Sequence, residues 1–182
     1  MKSALLVIDM QKAFWDIEVA EAFKDVPGKA ARLLAGARKA GVEVIHLRVQ
    51  FKADRSDWPP NFMSHLGPLE GNEGVKVLPF AVEEVGEKVF IKNSFDGFAS
   101  TPLEAYLRER GIGMLYACGF VTSICVNLTC ATAHQKGFKT VLVEDCCGDY
   151  SLERHNFTLD TYKVISFRAK PLDEVLIEMG AS

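Results

Sequence analysis

No apolar run in the 182-residue chain approaches the roughly 18 residues that a membrane-spanning helix needs, so no transmembrane segment is expected. Neither sign of charge dominates. Twenty-one Lys and Arg face 24 Asp and Glu, a net charge of −3, and without a basic surplus nothing argues for nucleic acid as a partner. No Cys-x-x-Cys and no Cys/His ligand cluster occurs, which speaks against a structural zinc site. The loop after the first apolar run, Asp9-Met10-Gln11-Lys12-Ala13-Phe14, contains no glycine. The chain thus lacks a Gly-rich phosphate loop there, so of a thiol-redox or flavodoxin-like nucleotide protein the flavodoxin-like reading is poor. Internal repeats and low-complexity stretches are also missing.

The balance that is present, 48% hydrophobic and 25% charged residues, is that of an ordinary globular chain, and the length suits a single domain over residues 1–182 with a sizeable core. The start is basic and then apolar, as in a signal peptide, but the run Ala4–Ile8 is short and ends on Asp9, so it reads as a buried strand. The five cysteines (Cys118, Cys125, Cys130, Cys146, Cys147) are an odd number with no secretory signal, which points to free thiols and a cytoplasmic setting.

Apolar runs alternate with helical stretches. Strands are expected at Ala4–Ile8, Val42–Leu47, Lys88–Ile91, Gly113–Ala117, Thr140–Val143 and Val164–Phe167. Helices are expected at Val26–Ala40, Pro102–Arg110 (Thr101 as N-cap, Gly111 as stop), Ser123–Lys136, Leu152–Thr161 and Pro171–Met179. This alternation predicts an α/β fold: a three-layer αβα sandwich with a six-stranded parallel sheet, Rossmann-like in its winding. Such sheets bind ligands beyond the carboxyl ends of their strands. A long insertion, roughly Val49 to Glu87, follows the second strand and is placed to cover such a site or to form an interface.

Three reactive residues fall at strand ends: Asp9 after Leu5-Leu6-Val7-Ile8, Lys92 after Val89-Phe90-Ile91, and Cys125 shortly after the fourth strand. Each has an ordinary alternative, since an acid can form a turn, a lysine can reach solvent and a free cysteine can be a small buried hydrophobe. Together they can converge at one sheet edge. Asp9 could then take the thiol proton, and Lys92 would keep Asp9 ionised. Cys125 near a helix N-terminus is expected to be a stabilised thiolate. A Cys-His pair is the competing chemistry. His134 lies nine residues beyond Cys125 on the same expected helix, roughly 13 Å along the axis, too far to serve. His65 and His155 stay open as partners, and His46 reads as a packed strand residue.

These residues carry a resemblance to the isochorismatase-like, nicotinamidase-related hydrolases. Val7-Ile8-Asp9-Met10-Gln11 resembles their opening motif, Lys92-Asn93-Ser94-Phe95-Asp96-Gly97-Phe98 their lysine motif, and Gly119-Phe120-Val121-Thr122-Ser123-Ile124-Cys125-Val126 their nucleophile motif. The small-residue stretch Thr129-Cys130-Ala131-Thr132-Ala133 and Val141-Leu142-Val143-Glu144-Asp145 follow in the same order, so nearly the whole chain is covered. The resemblance implies a six-stranded parallel sheet, a cis peptide at Phe120–Val121, a catalytic triad of Asp9, Lys92 and Cys125, and an oxyanion hole from the N–H groups of Val121 and Cys125. It implies hydrolysis of a small amide, ureide or carbamoyl compound through a thioester, with no redox cofactor. Metal-holding members carry an Asp-x-His after strand two. Arg48-Val49-Gln50 stands there, so no metal is expected and nicotinamide is disfavoured. The alternative is a catalytically silent binding or scaffolding member of the same fold.

Expected substrate contacts are Gln11, Phe14, Trp15, Arg48, Asn61 and Phe95, and Phe51, Trp58 and Phe62 are further aromatics of the insertion. The aromatics can equally pack a lid, and Arg48 can equally bridge a subunit interface. The only partners expected are a small-molecule substrate and further copies of the chain in a homo-oligomer. Asp145 reads as a loop or cap residue, Cys118 and Cys130 as core, and Cys146-Cys147 as buried or redox-active.

Overall fold

The computed structural model describes residues 1–58 and 67–181. Six strands form one sheet in the order β3-β2-β1-β4-β5-β6, and every pair is parallel: β1 (Lys2–Ile8), β2 (Glu43–Val49), β3 (Lys88–Lys92), β4 (Ile112–Phe120), β5 (Lys139–Gly148) and β6 (Arg168–Lys170). The run Ala4–Ile8 is apolar throughout because β1 is central and covered on both faces; all five of its side chains are buried. Leu5, Leu6, Val7 and Ile8 each contribute about 1.5–3 kcal/mol on leaving water.

Helices cover both faces. α2 (Val26–Lys39) packs on α6 (Leu172–Met179), and α3 (Leu103–Glu109) is tied to α4 (Asn127–Gln135) by the Glu104–Lys136 ion pair. α5 (Leu152–Tyr162) follows β5 and lies against the turn that carries Cys125. The chain winds outward from β1 through β2 to β3 and from β4 through β5 to β6. The strand order therefore reverses between β1 and β4, which is where a crevice opens in such sheets. Close approach of these strands requires glycine at Gly119. Its φ is 135°, and a Cβ there would lie 1.9 Å from the carbonyl oxygen of Ile8.

Several expected elements differ. The sixth strand is Arg168–Lys170 rather than Val164–Phe167. Val164 and Ile165 lie in the turn after α5, where the N–H groups of Ile165 and Ser166 both bond the carbonyl of Tyr162. An edge strand that pairs only with Val141–Val143 can be short and polar, so the apolar run misled. The fifth strand runs on from Val143 to Gly148. The expected helix Ser123–Lys136 begins as a π-turn, Thr122–Val126, before α4 takes over. A short helix not foreseen, α1 (Ile17–Ala22), is capped by Asp16, whose side chain accepts from the Val19 N–H at 2.9 Å. The N-cap position of α3 is Pro102 rather than the expected Thr101, although the Thr101 hydroxyl accepts from the Leu103 N–H at 3.2 Å.

The insertion after β2 contains no long helix or strand among its described residues. It is pinned to the segment after β1 by single bridges and backbone bonds, including Leu78 N–H to Met10 O at 2.9 Å and Lys12 N–H to Lys76 O at 2.9 Å.

Candidate active site

Asp9 is the first residue past β1 and turns sharply, with φ at 49°. Its N–H donates to Leu47 O at 2.8 Å, and its carbonyl accepts from the Gln11 N–H at 2.7 Å. Aspartate is among the few side chains that tolerate this left-handed conformation. The turn directs the carboxylate inward, where it is fully buried. Oδ1 accepts the Val49 N–H at 2.9 Å, and Oδ2 lies 2.8 Å from Lys92 Nζ, an ion contact rather than an aligned hydrogen bond.

Lys92 ends β3, and β2 stands between it and β1. At roughly 4.8 Å per strand, the gap is about 9.6 Å. A long cationic side chain bridges it because Asp9 leans back toward β2. Nζ also donates to Ser94 O at 2.8 Å and Phe95 O at 3.3 Å, so the ammonium has three oxygen partners. Burial works to lower the lysine pKa and is the largest single influence, but Asp9, Cys125 and Asp96 together outweigh it and hold the group protonated. For Asp9 the balance runs the other way: burial outweighs Lys92 and raises the carboxyl above the ordinary aspartate range.

Cys125 sits in the π-turn Thr122–Val126 that follows the cis peptide Phe120–Val121. The Val121 carbonyl accepts from the N–H groups of Ile124 at 3.0 Å and Val126 at 3.3 Å, on either side of Cys125. The thiol, the Asp9 carboxylate and the Val121 N–H are close enough to influence one another's charge. The expectation of a stabilised thiolate fails. Burial, with the Asp9 charge beside it, raises the thiol pKa, and neither Lys92 nor the Val121 N–H compensates. The resting group is a thiol that must lose its proton to react. Asp9, Lys92 and Cys125 thus meet at the crevice between β1 and β4.

A narrow pocket leads to Cys125. It is walled by Phe14, Val49, Phe51, Pro68, Phe95, Val121, Ile124 and Tyr150. Of the expected substrate contacts, Phe14 and Phe95 are in this wall. Gln11 is not: its amide nitrogen donates to Val49 O and Val75 O, both at 3.0 Å, and its oxygen accepts from the Val49 N–H at 3.0 Å, so it pins the insertion to β2. Trp15 packs in a tilted contact on Phe120, with ring centroids 5.1 Å apart, and edge-on against Phe80. Arg48 is ion-paired to Glu83 of the insertion. In a strand alternate side chains face opposite ways, so Arg48 points away while Val49 lines the pocket. Asn61, Phe62 and His65 lie outside the described residues.

Sequence reasoning missed Asp149 and Tyr150. Asp149 is buried and accepts the Ser123 N–H at 2.7 Å; Tyr150 lines the pocket. Their signal was position at the carboxyl end of β5, hidden when that strand was stopped at Val143. Asp145, inside β5, accepts the Leu172 N–H at 2.9 Å and so caps α6. His155 contacts the Thr122 hydroxyl through Nδ1 at 2.9 Å, and His46 pairs with Glu87 at 2.9 Å. All five cysteines are free and buried, Cys146 and Cys147 included. Among the described residues, no group of three or more His, Cys, Asp and Glu side chains is arranged to hold a metal, and no helix is long and apolar enough to cross a membrane.

Comparison with known proteins bears on the family and the fold. Residues 3–171 match the sequence profile of the isochorismatase domain. The isochorismatase family protein YecD of Escherichia coli O157:H7 is 30% identical over 96% of this chain and 94% of its own length. The maleamate amidohydrolase of Pseudomonas putida is 29% identical over 87% of this chain and 78% of its own. In structure, a cysteine hydrolase from Pseudomonas syringae shares the fold with a TM-score of 0.88 over 100% of this chain and 94% of its own, at 24% identity. The nicotinamidase/pyrazinamidase PncA of Bacillus subtilis superposes with a TM-score of 0.79 over 93% and 99% at 26% identity. With the parallel sheet, the crevice and the profile match over most of its length, this chain belongs to the isochorismatase family of hydrolases.

Proposed function

We propose that the protein is a cysteine-dependent hydrolase of a small amide, ureide or carbamoyl compound. The observation that carries this reading is the convergence of a buried acid, ammonium and thiol, with the thiol lining a small pocket. Relatives whose names specify amide substrates, the maleamate amidohydrolase and the ureidoacrylate amidohydrolase RutB, favour the same bond class.

Asp9 takes the Cys125 proton as the sulfur attacks the substrate carbonyl carbon. A carboxylate whose pKa is raised by burial is a stronger base than a free aspartate, which suits a thiol whose own pKa is raised. The N–H groups of Val121 and Cys125 receive the developing oxyanion. Collapse of the tetrahedral adduct breaks the C–N bond, and Asp9 returns the proton to the departing amine or ammonia. Water then attacks the thioester carbonyl and gives its proton to Asp9. Expulsion of sulfur, reprotonated by Asp9, releases the acid. Lys92 stays protonated throughout and holds Asp9 in place.

Ammonia release from a panel of small primary amides and ureides tests this. Release by the wild type and none by Cys125→Ala is the expected result. Retained turnover in Cys125→Ala would remove the cysteine from the mechanism.

A further inference from the structure

The π-turn Thr122–Val126 begins badly. The first N–H groups of any helix lack internal acceptors, and the residue at the capping position here is Val121, whose side chain cannot accept. The acceptor comes instead from the end of β5. Asp149, with its carboxylate fully buried, takes the Ser123 N–H on Oδ2 at 2.7 Å and the Tyr150 N–H on Oδ1 at 2.8 Å. Arg154 lies 3.4 Å from the same carboxylate and donates to the Ser123 hydroxyl at 3.0 Å. One residue earlier, the Thr122 hydroxyl donates to Gly148 O at 2.9 Å. His155, which burial keeps neutral, then donates Nδ1–H to that hydroxyl. The segment Gly148–His155 thus grips two consecutive residues of the turn.

Cys125 is two residues beyond Ser123 on the same turn. Any rotation about this grip carries the sulfur away from the Asp9 carboxylate and swings the Val121 and Cys125 N–H groups with it. From this geometry we infer that Asp149 is a positioning residue for the nucleophile: a cap supplied by the neighbouring strand, which sets where Cys125 Sγ stands relative to Asp9. The inference rests on the hydrolase reading above. It adds that the reactive geometry depends on a group that touches neither substrate nor the reacting atoms.

The test compares wild type, Asp149→Ala, Asp149→Asn and, as a control, Asp145→Ala, which removes a cap from α6. The control also breaks the Asp145 ion pair with Lys29 of α2, away from the Cys125 turn. Steady-state hydrolysis of an accepted amide is measured alongside the pH dependence of Cys125 alkylation by iodoacetamide, followed on the Cys125 peptide by mass spectrometry. A displacement on the ångström scale predicts that Asp149→Ala loses about 10- to 100-fold in kcat with KM changed less than about twofold. The alkylation midpoint should move by about one pH unit as the thiol leaves its partners. Asp149→Asn, which can still accept from the Ser123 N–H, should recover most of the kcat. Unchanged kcat and alkylation midpoint in folded Asp149→Ala would overturn the inference, as would an equal loss in Asp145→Ala. Should the wild type release ammonia from no amide, the hydrolase reading is what fails. The alkylation midpoints of the four proteins then still decide whether Asp149 positions the thiol.

Discussion

Two ionic clusters flank β2, one fully enclosed and one half-buried, and they are built from similar chemical groups. Beside β2 toward the sheet's centre, Asp9 faces Lys92. On the outer side, Glu87 faces Arg38 at 2.8 Å and His46 at 2.9 Å. Both carboxylates have a cation within hydrogen-bond distance, yet their proton affinities move in opposite directions. Partial burial works to raise Glu87, but the Arg38 guanidinium, the Glu84 N–H and His46 overcome it and bring the pKa down to about 2. Asp9 is fully enclosed, and its one cation does not offset the loss of water, so its pKa rises. Glu87 therefore holds its charge firmly and ties α2 to the base of the insertion. Asp9 exchanges a proton more readily, and a thiol lies within its reach. Pairing alone does not make a carboxylate inert; the number of donors against the depth of burial does.

The largest expected effect removes the proton exchange at the inner cluster. Asp9→Asn should lower kcat by about a thousandfold or more while the protein stays folded, since the amide still accepts the Val49 N–H but cannot take the thiol proton. Turnover within tenfold of wild type would mean that the base lies elsewhere. Replacing the cation comes next. Lys92→Met leaves a buried carboxylate unpaired, so stability should fall by about 3–5 kcal/mol in denaturant unfolding. The acid limb of kcat/KM should also move upward. In the wild type that limb already lies above the ordinary aspartate range, because a raised carboxyl becomes protonated, and activity is lost, at higher pH. An acid limb lower in Lys92→Met than in wild type would contradict the opposition of burial and charge at Asp9.

The smallest effect belongs to the outer cluster. Glu87→Gln should cost about 1–2 kcal/mol at pH 7 and leave kcat and KM as they are. Glu87 has a depressed folded pKa. Its contribution is present above the unfolded carboxylate value and is lost as pH falls through about 2, so wild type and variant should converge in stability on acidification from pH 5. A constant gap down to pH 2 would show that the Glu87 charge does not act through this pairing.

How far these clusters could be read in advance differed for the same physical reason. Asp9 and Lys92 end apolar runs, and a parallel sheet brings strand ends to one edge, so their meeting followed from pattern. Cys125 was placed by its distance from the fourth strand, but not its π-turn, which has no composition of its own. Arg48 looked like a substrate anchor because its partner, Glu83, lies 35 residues away in an insertion without periodicity. Gln11 looked free for a ligand because its acceptors and donors are backbone groups on two other segments. Asp149 was passed over because the apolar run of β5 breaks at Glu144-Asp145, before the strand's true end at Gly148.

The order of elements, the parallel sheet and the residue types at its carboxyl edge were determined by the sequence alone, because periodicity and strand polarity are local properties of the chain. The tertiary structure alone decided that Lys92 spans β2 to reach Asp9, that Asp149 caps a turn it does not belong to, and that one paired carboxylate is raised while another is lowered. Those outcomes depend on enclosure and on through-space partners, and neither is a property of any single segment.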